Sequence, residues 1–206
     1  EGLAAALQSS VKAARNAAAA GGNRLRRPET SAEKPEVEAA DQAWASRIKS
    51  ALMANRFRLV HQPIASLVGE GEPMFDLVVR MLDERNEEVL PSEFLAAAQR
   101  TDLMKNIDRW VVGAAMSFCA ERNNARVFVR LSTDSMRDQT LGPWLQQQIK
   151  SSGVDPKRVV FELHEETAVR HLEEIRALQA LVKPLGFQFA LENFGSGRDP
   201  DRLLGH

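Results

Sequence analysis

Five short apolar runs set the limits on how this chain can fold. They read FRLVHQPI from Phe57, MFDLVVRML from Met74, RVFVRLS from Arg126, RVVFELHEE from Arg158 and FQFALE from Phe187. Short runs rich in Val, Phe and Leu and bounded by turn residues predict buried strands. Between them lie stretches with helical spacing. Leu103, Ile107, Trp110, Val111, Ala114 and Phe118 form one stripe, and Leu172, Ile175 and Leu178 another. Strands alternating with helices imply an α/β fold: a largely parallel sheet with helices outside, open or closed into a barrel.

The helix signals are local. Asp41 is read as the cap of a helix from Gln42 to Asn55, and Ser92 as the N-cap of SEFLAAAQR. Pro143 suits the first turn of GPWLQQQIK. One helix is expected from Ala168 to Val182, with Gly186 stopping the chain before the fifth strand. Residues 1–20 are Ala-rich and strongly helix-favouring, and Gly21 and Gly22 can stop them. The stretch RLRRPETSAEKPEVEAAD carries two prolines and dense charge, which reads as a linker.

A formal net charge of -1 over 206 residues gives no electrostatic case for DNA, RNA or an acidic membrane. The single cysteine, Cys119, excludes an intramolecular disulfide and fits a reducing compartment. No apolar run of membrane-spanning length and no signal peptide is found. The expectation is a soluble, cytoplasmic protein without membrane insertion.

Polar residues collect where the apolar runs stop: Gln62, Ser132, Glu162, and Glu192 beside Asn193. In a (β/α) barrel the site is built at the C-terminal ends of several strands, so this distribution points to one site. Each residue also has a plain structural role open to it. Asp76 and Arg80 can pair across a strand, Arg130 can bridge to Glu162, and Glu192 can cap a turn. Asp108 can be an ordinary exposed acid, His164 a strand-end side chain, and His171 a solvent-facing residue of the following helix. Gly195 and Gly197 can serve turn geometry alone.

Taken in order, HQPI, DLVVR, PSEFLAAAQRTDL, IDRWV, FVRLS, FELHEE and LENFGSG resemble the EAL domain family. Active members are phosphodiesterases that linearise cyclic di-GMP on a TIM-like (β/α) barrel with two divalent metals. The resemblance implies that fold, incomplete in this chain, with an N-terminal helical extension. It divides the chain into 1–22, resembling the closing helix of an upstream GGDEF domain, a linker at 23–40, and a degenerate EAL-like domain at 41–206 whose C-terminal part is missing. Only five strands are counted where the barrel has eight, so further residues or an exchanged homodimer are expected to cover the bare edge.

Departures from the family pattern are concentrated at the metal ligands. The motif Glu-Ala-Leu-x-Arg reads Asp76-Leu77-Val78-Val79-Arg80, the expected asparagine of the third strand is Arg130, and Asp-Asp-Phe-Gly is Glu192-Asn193-Phe194-Gly195. An amide supplies no charge and a guanidinium adds a positive one, so metal binding and hydrolysis are not expected, and no catalytic residue is assigned. The resemblance instead implies a cyclic di-GMP receptor needing no metal or other cofactor. Gln62, Asp76, Leu77, Val78, Arg80, Pro91, Asp108, Arg130, Glu162, Glu192 and Gly195 would hold the ligand. Arg80 and Arg130 would face its phosphates and Asp108 a guanine edge. The wording FVRLS, DLMKNIDRW and FGSGRDP is most similar to the FimX-like branch, which implies a PilZ-domain partner and a role at the cell pole in type IV pilus assembly and twitching motility. A nucleotide-free scaffold and a weak residual phosphodiesterase are the two alternatives.

Overall fold

A computed structural model describes residues 33–69 and 71–195, together with Leu7, Ser10, Val11, Ala14 and Arg15, which are helical. Most of the Ala-rich stretch, residues 23–32 of the expected linker at 23–40, and Ser196 onward lie outside the described residues, and residues 33–40 of that linker are helical. The chain divides into two compact units, Glu1–Trp44 and Ala45–His206. The junction falls inside helix α1, Glu33–Met53. This helix begins well before Gln42, so Asp41 lies within it rather than at its N-cap. Its first turns, Glu33 to Ala40, are densely charged and offer no apolar stripe.

The second unit is an α/β domain. Its strands are β1 (Phe57–Ile64), β2 (Met74–Leu82), β3 (Glu88–Val89), β4 (Arg126–Arg130), β5 (Val159–His164) and β6 (Gln188–Glu192). They form one sheet in the order β1-β2-β4-β5-β6, with β3 pairing onto β2. Strands β2, β4, β5 and β6 run parallel, whereas β1 is antiparallel to β2 from Phe57↔Met81 to Ile64↔Met74. The arrangement is consistent with part of a TIM-like barrel. The two-residue β3 was not foreseen; it closes a tight turn after β2 in which Asn86 takes a positive φ.

The helices are α2 (Pro91–Arg100), α3 (Met104–Glu121), α4 (Thr133–Met136), α5 (Leu141–Ser152), α6 (Glu165–Arg170) and α7 (Leu172–Val182). Leu90, not Ser92, is the N-cap of α2: Pro91 takes the first helical position, and the Glu93 carboxylate accepts from the Leu90 N–H at 2.9 Å. The helix expected over Ala168–Val182 is two helices. His171, at φ -124° and ψ 40°, breaks it. Its ring is partly buried, with Nδ1 3.4 Å from the Glu174 carboxylate, rather than in solvent.

Sheet register decides what faces where. Asp76 pairs with Phe128, Arg130 with Glu162, and Glu162 with Ala190. Paired residues share a face and side chains alternate along a strand. Leu77, Val127, Val129, Val159, Phe161 and Leu163 therefore occupy one face, and all are buried. Phe94, Ile107, Met116, Leu145 and Leu178 of the helices complete that core. Asp76, Arg130, Glu162 and Glu192 fall on the opposite face, so the strand alternation itself separates site from core.

Candidate functional site

Four neighbouring parallel strands each deliver one charged side chain to the same place. Arg130, the last residue of β4, lies between Asp76 of β2, Glu162 of β5 and Glu192 of β6. Its guanidinium donates to both Glu192 carboxylate oxygens, from Nε at 2.7 Å and Nη2 at 2.9 Å, a bidentate pair. Nη2 also reaches Asp76 Oδ2 at 3.2 Å and lies 3.9 Å from Glu162 Oε2. The Glu192 hydrogen bonds and the surrounding carboxylates hold the guanidinium pKa above its ordinary value. In return, hydrogen bonding to Arg130 pulls the Glu192 carboxyl below the usual range. Glu162 moves the other way, pushed up by burial and by the charge on Asp76. Two oxygens of the cluster, Asp76 Oδ1 and Glu162 Oε2, are buried and accept no hydrogen bond. One cation thus serves three carboxylates.

Asp108 organises the loop beside this cluster. It lies on α3 one residue after Ile107 and is 4% exposed, not an exposed acid. Its Oδ2 accepts from the Ser132 N–H at 2.9 Å, the Ser132 hydroxyl at 2.5 Å and the Ser135 hydroxyl at 2.6 Å. Ser132 in turn caps α4, accepting from the Ser135 N–H. Burial outweighs these bonds and raises the Asp108 pKa.

Two adjoining cavities open around this loop. One, of about 400 Å³, is lined by Arg130, Ser132, Glu162, His164 and Glu192 against Leu95 and Met104. The other, of about 230 Å³, takes in Leu77, Val78, Pro91, Asp108 and Arg130. Apolar walls with a few convergent polar groups are the usual character of small-molecule sites.

Most of the residues expected at a ligand meet here: Leu77, Val78, Pro91, Asp108, Arg130, Glu162 and Glu192 line the cavities, and Asp76 joins through its ion pair. Leu77 does so as a core residue, 2% exposed on the helix-packed face. Gln62, Arg80 and Gly195 line neither cavity. Although β1 is antiparallel, Gln62 pairs with Asp76 and so lies on the sheet face that carries the cluster, beside its β2 member. Arg80 does not pair with Asp76. Its Nη1 donates to the Val79 carbonyl at 3.0 Å, and Nε lies 3.9 Å from Glu88. Gly195 has a positive φ of 87° in the turn after β6. Asn193 starts that turn in the left-handed region, φ 56°, where Asn is better tolerated than most residues, and its amide meets His164 Nε2 at 3.0 Å. Leu95, Met104 and Ser135 were not anticipated. The Ser-x-x-Ser spacing after β4 was a cap signal that could have shown the last.

Residues 45–205 match the EAL domain family. This chain belongs to it. The EAL domain resembles two solved FimX domains. That of Pseudomonas aeruginosa bound to c-di-GMP is 34% identical with a TM-score of 0.76, over 79% of this chain and 67% of that one. That of Xanthomonas citri FimX in complex with c-di-GMP is 28% identical with a TM-score of 0.75, over 84% of this chain and 68% of that one. Among curated relatives, cyclic di-GMP phosphodiesterase PdeF of Escherichia coli K12 is 27% identical over 159 residues, 75% of this chain and 21% of that protein. The chain thus spans about a fifth of that relative's length.

The resemblance implies two divalent metals held by carboxylates at the strand ends, and the residues of this EAL domain do not fit them. A guanidinium stands among Asp76, Glu162 and Glu192, and the Asn193 amide faces His164. Among the described residues, no three His, Cys, Asp or Glu side chains are arranged to hold a metal ion. No helix among them is long and apolar enough to cross a membrane.

Proposed function

We propose that this EAL domain is a receptor that binds cyclic di-GMP without hydrolysing it and without a metal. The observation that carries the reading is the Arg130 guanidinium, bound to Glu192 and Asp76 at the mouth of two apolar-walled cavities. In-line attack of water on a phosphate by the two-metal route needs carboxylates free to neutralise both ions. Here the carboxylates are engaged by the chain's own cation. The likeness to FimX domains solved with c-di-GMP supports the choice of ligand.

Within this reading the two arginines have different tasks. Arg130 is committed to carboxylates, so it shapes the site rather than neutralising a phosphate. Arg80 lies on the same sheet face as Asp76, four residues along β2, and its nearest carboxylate is 3.9 Å away. It is the guanidinium left to meet a phosphate. The FimX resemblance extends the proposal to a PilZ-domain partner and to twitching motility, with nucleotide occupancy passed to that partner.

Calorimetric titration of cyclic di-GMP in chelator and again in Mg²⁺ tests the reading, with chromatography of the mixture for linear product. Equal affinity in both buffers, loss in Arg80→Ala and no linear product are expected. Linear product that depends on Mg²⁺ would restore the phosphodiesterase, and absence of heat in both buffers would leave a scaffold.

A further inference from the structure

We propose that Arg130 is the built-in counter-ion of the strand-end site, and that its side chain alone excludes a divalent cation from Asp76, Glu162 and Glu192. This shares the Arg130 ion pairs with the receptor reading, gives the cause of its metal-free character, and does not depend on nucleotide binding.

The geometry separates Arg130 from an ordinary surface ion pair. Its partners come from β2, β5 and β6, three different strands, and converge on one face of the sheet. The pair with Glu192 is bidentate, 2.7 and 2.9 Å, which fixes the plane of the guanidinium between the carboxylates. A dication seated among the same oxygens would face a fixed positive charge that no accessible pH removes. To make room, Arg130 would have to give up both Glu192 bonds and the 3.2 Å bond to Asp76 together. With the guanidinium between them, Asp76, Glu162 and Glu192 are not arranged to hold a metal ion, yet Asp76 Oδ1 and Glu162 Oε2 are buried without hydrogen-bond donors. What disqualifies the site as a metal centre is therefore the cation already in it. Removing that charge leaves the three carboxylates of β2, β5 and β6 around the β4 tip, a donor set of the hard-oxygen kind that Mg²⁺ and Mn²⁺ take.

Mn²⁺ titration of the full chain, followed by electron paramagnetic resonance in the absence of nucleotide, tests this. The wild type should bind no Mn²⁺ in a manner that depends on Asp76. Arg130→Ala and Arg130→Gln should gain a site at least about tenfold tighter than any in the wild type, as loss of one close positive charge implies. Arg130→Lys, which retains the charge, should not. The gained site should vanish in Arg130→Ala/Asp76→Asn. A folded Arg130→Ala that binds Mn²⁺ no better than the wild type overturns the proposal, as does Asp76-dependent Mn²⁺ binding with Arg130 present. Should the neutral variants unfold in chelator, refolding on addition of Mn²⁺ supports it, and unfolding that Mn²⁺ fails to reverse overturns it. A failed cyclic di-GMP titration would sink the receptor reading and leave each of these outcomes standing.

Discussion

The Asp108 carboxylate on α3 ties down Ser132, the second residue after the β4 tip, through both its backbone N–H and its hydroxyl. The loop that borders both cavities is thereby fixed by a buried carboxyl group. Replacing the carboxylate with Ala strands one N–H and two hydroxyl donors. Asp108→Ala should cost about 2–3 kcal/mol in urea denaturation. Asp108→Asn should cost less, because it retains an acceptor and avoids burying a charge. If the two variants lose the same stability, the hydrogen bonds are not what holds the loop.

Arg158 performs a similar service at the other end of α3. Its Nε donates to the Ala125 carbonyl at 2.9 Å, and its Nη2 to the Cys119 carbonyl at 2.7 Å and to that of Arg122. These carbonyls lie at and just beyond the helix C-terminus, where a cation also meets the negative end of the helix dipole. Arg158→Met removes both effects and should lower stability by about 1–3 kcal/mol. For a chain of this size that is roughly 2–4 °C in Tm for each kcal/mol. Differential scanning calorimetry reads it directly.

The strand runs and helix stripes were legible because period-2 and period-3.6 burial are written in side-chain size, and β4, β5 and β6 lie where Val, Phe and Leu predict them. The direction of β1 was not. FRLVHQPI has the same composition whether it pairs parallel or antiparallel, and only the hairpin to β2 decides, which sets Gln62 opposite Asp76. In the site, the positions of Arg130, Glu162 and Glu192 could be read as strand ends. The bridge from Arg130 to Glu162 on the next strand could be read too and is seen at 3.9 Å, but the contacts of Arg130 to Asp76 and Glu192 could not, because they span 54 and 62 residues and exist only through sheet register. The burial of Asp108 was hidden for a similar reason: its partners, Ser132 and Ser135, lie 24 and 27 residues away.

Gly186 ends the chain's approach to β6 with φ +101°, and an added Cβ would lie 2.8 Å from Cγ of Pro156. Both backbone strain and the ring of Pro156 therefore oppose a side chain. Gly186→Ala should destabilise by about 1–3 kcal/mol. Pairing it with Pro156→Ala separates the causes: recovery of part of the loss in the double variant measures the clash, and the remainder is backbone strain. Strict additivity would assign the whole effect to φ.

The Arg130 cluster should titrate in a definite order. Glu192, hydrogen-bonded to the guanidinium, has its carboxyl pKa lowered on folding, so the pair stabilises the fold above the unfolded value of about 4.3 and that contribution is lost as pH falls through the folded pKa. Glu162 is raised by burial and by Asp76. Its proton binding favours the folded state, an advantage fully present below the unfolded value and lost as pH rises through the folded one. On acidification Glu162 should therefore protonate first, relieving repulsion with Asp76 while the Glu192–Arg130 pair is still intact, and Glu192 should follow. Carbon-detected NMR of the side-chain carboxyls resolves the two steps. In Arg130→Ala both carboxyls lose a neighbouring positive charge, so both midpoints should move up, Glu192 by more because it also loses its hydrogen bonds. A Glu192 midpoint that stays in place in this variant would show that the bidentate pair does not hold in solution.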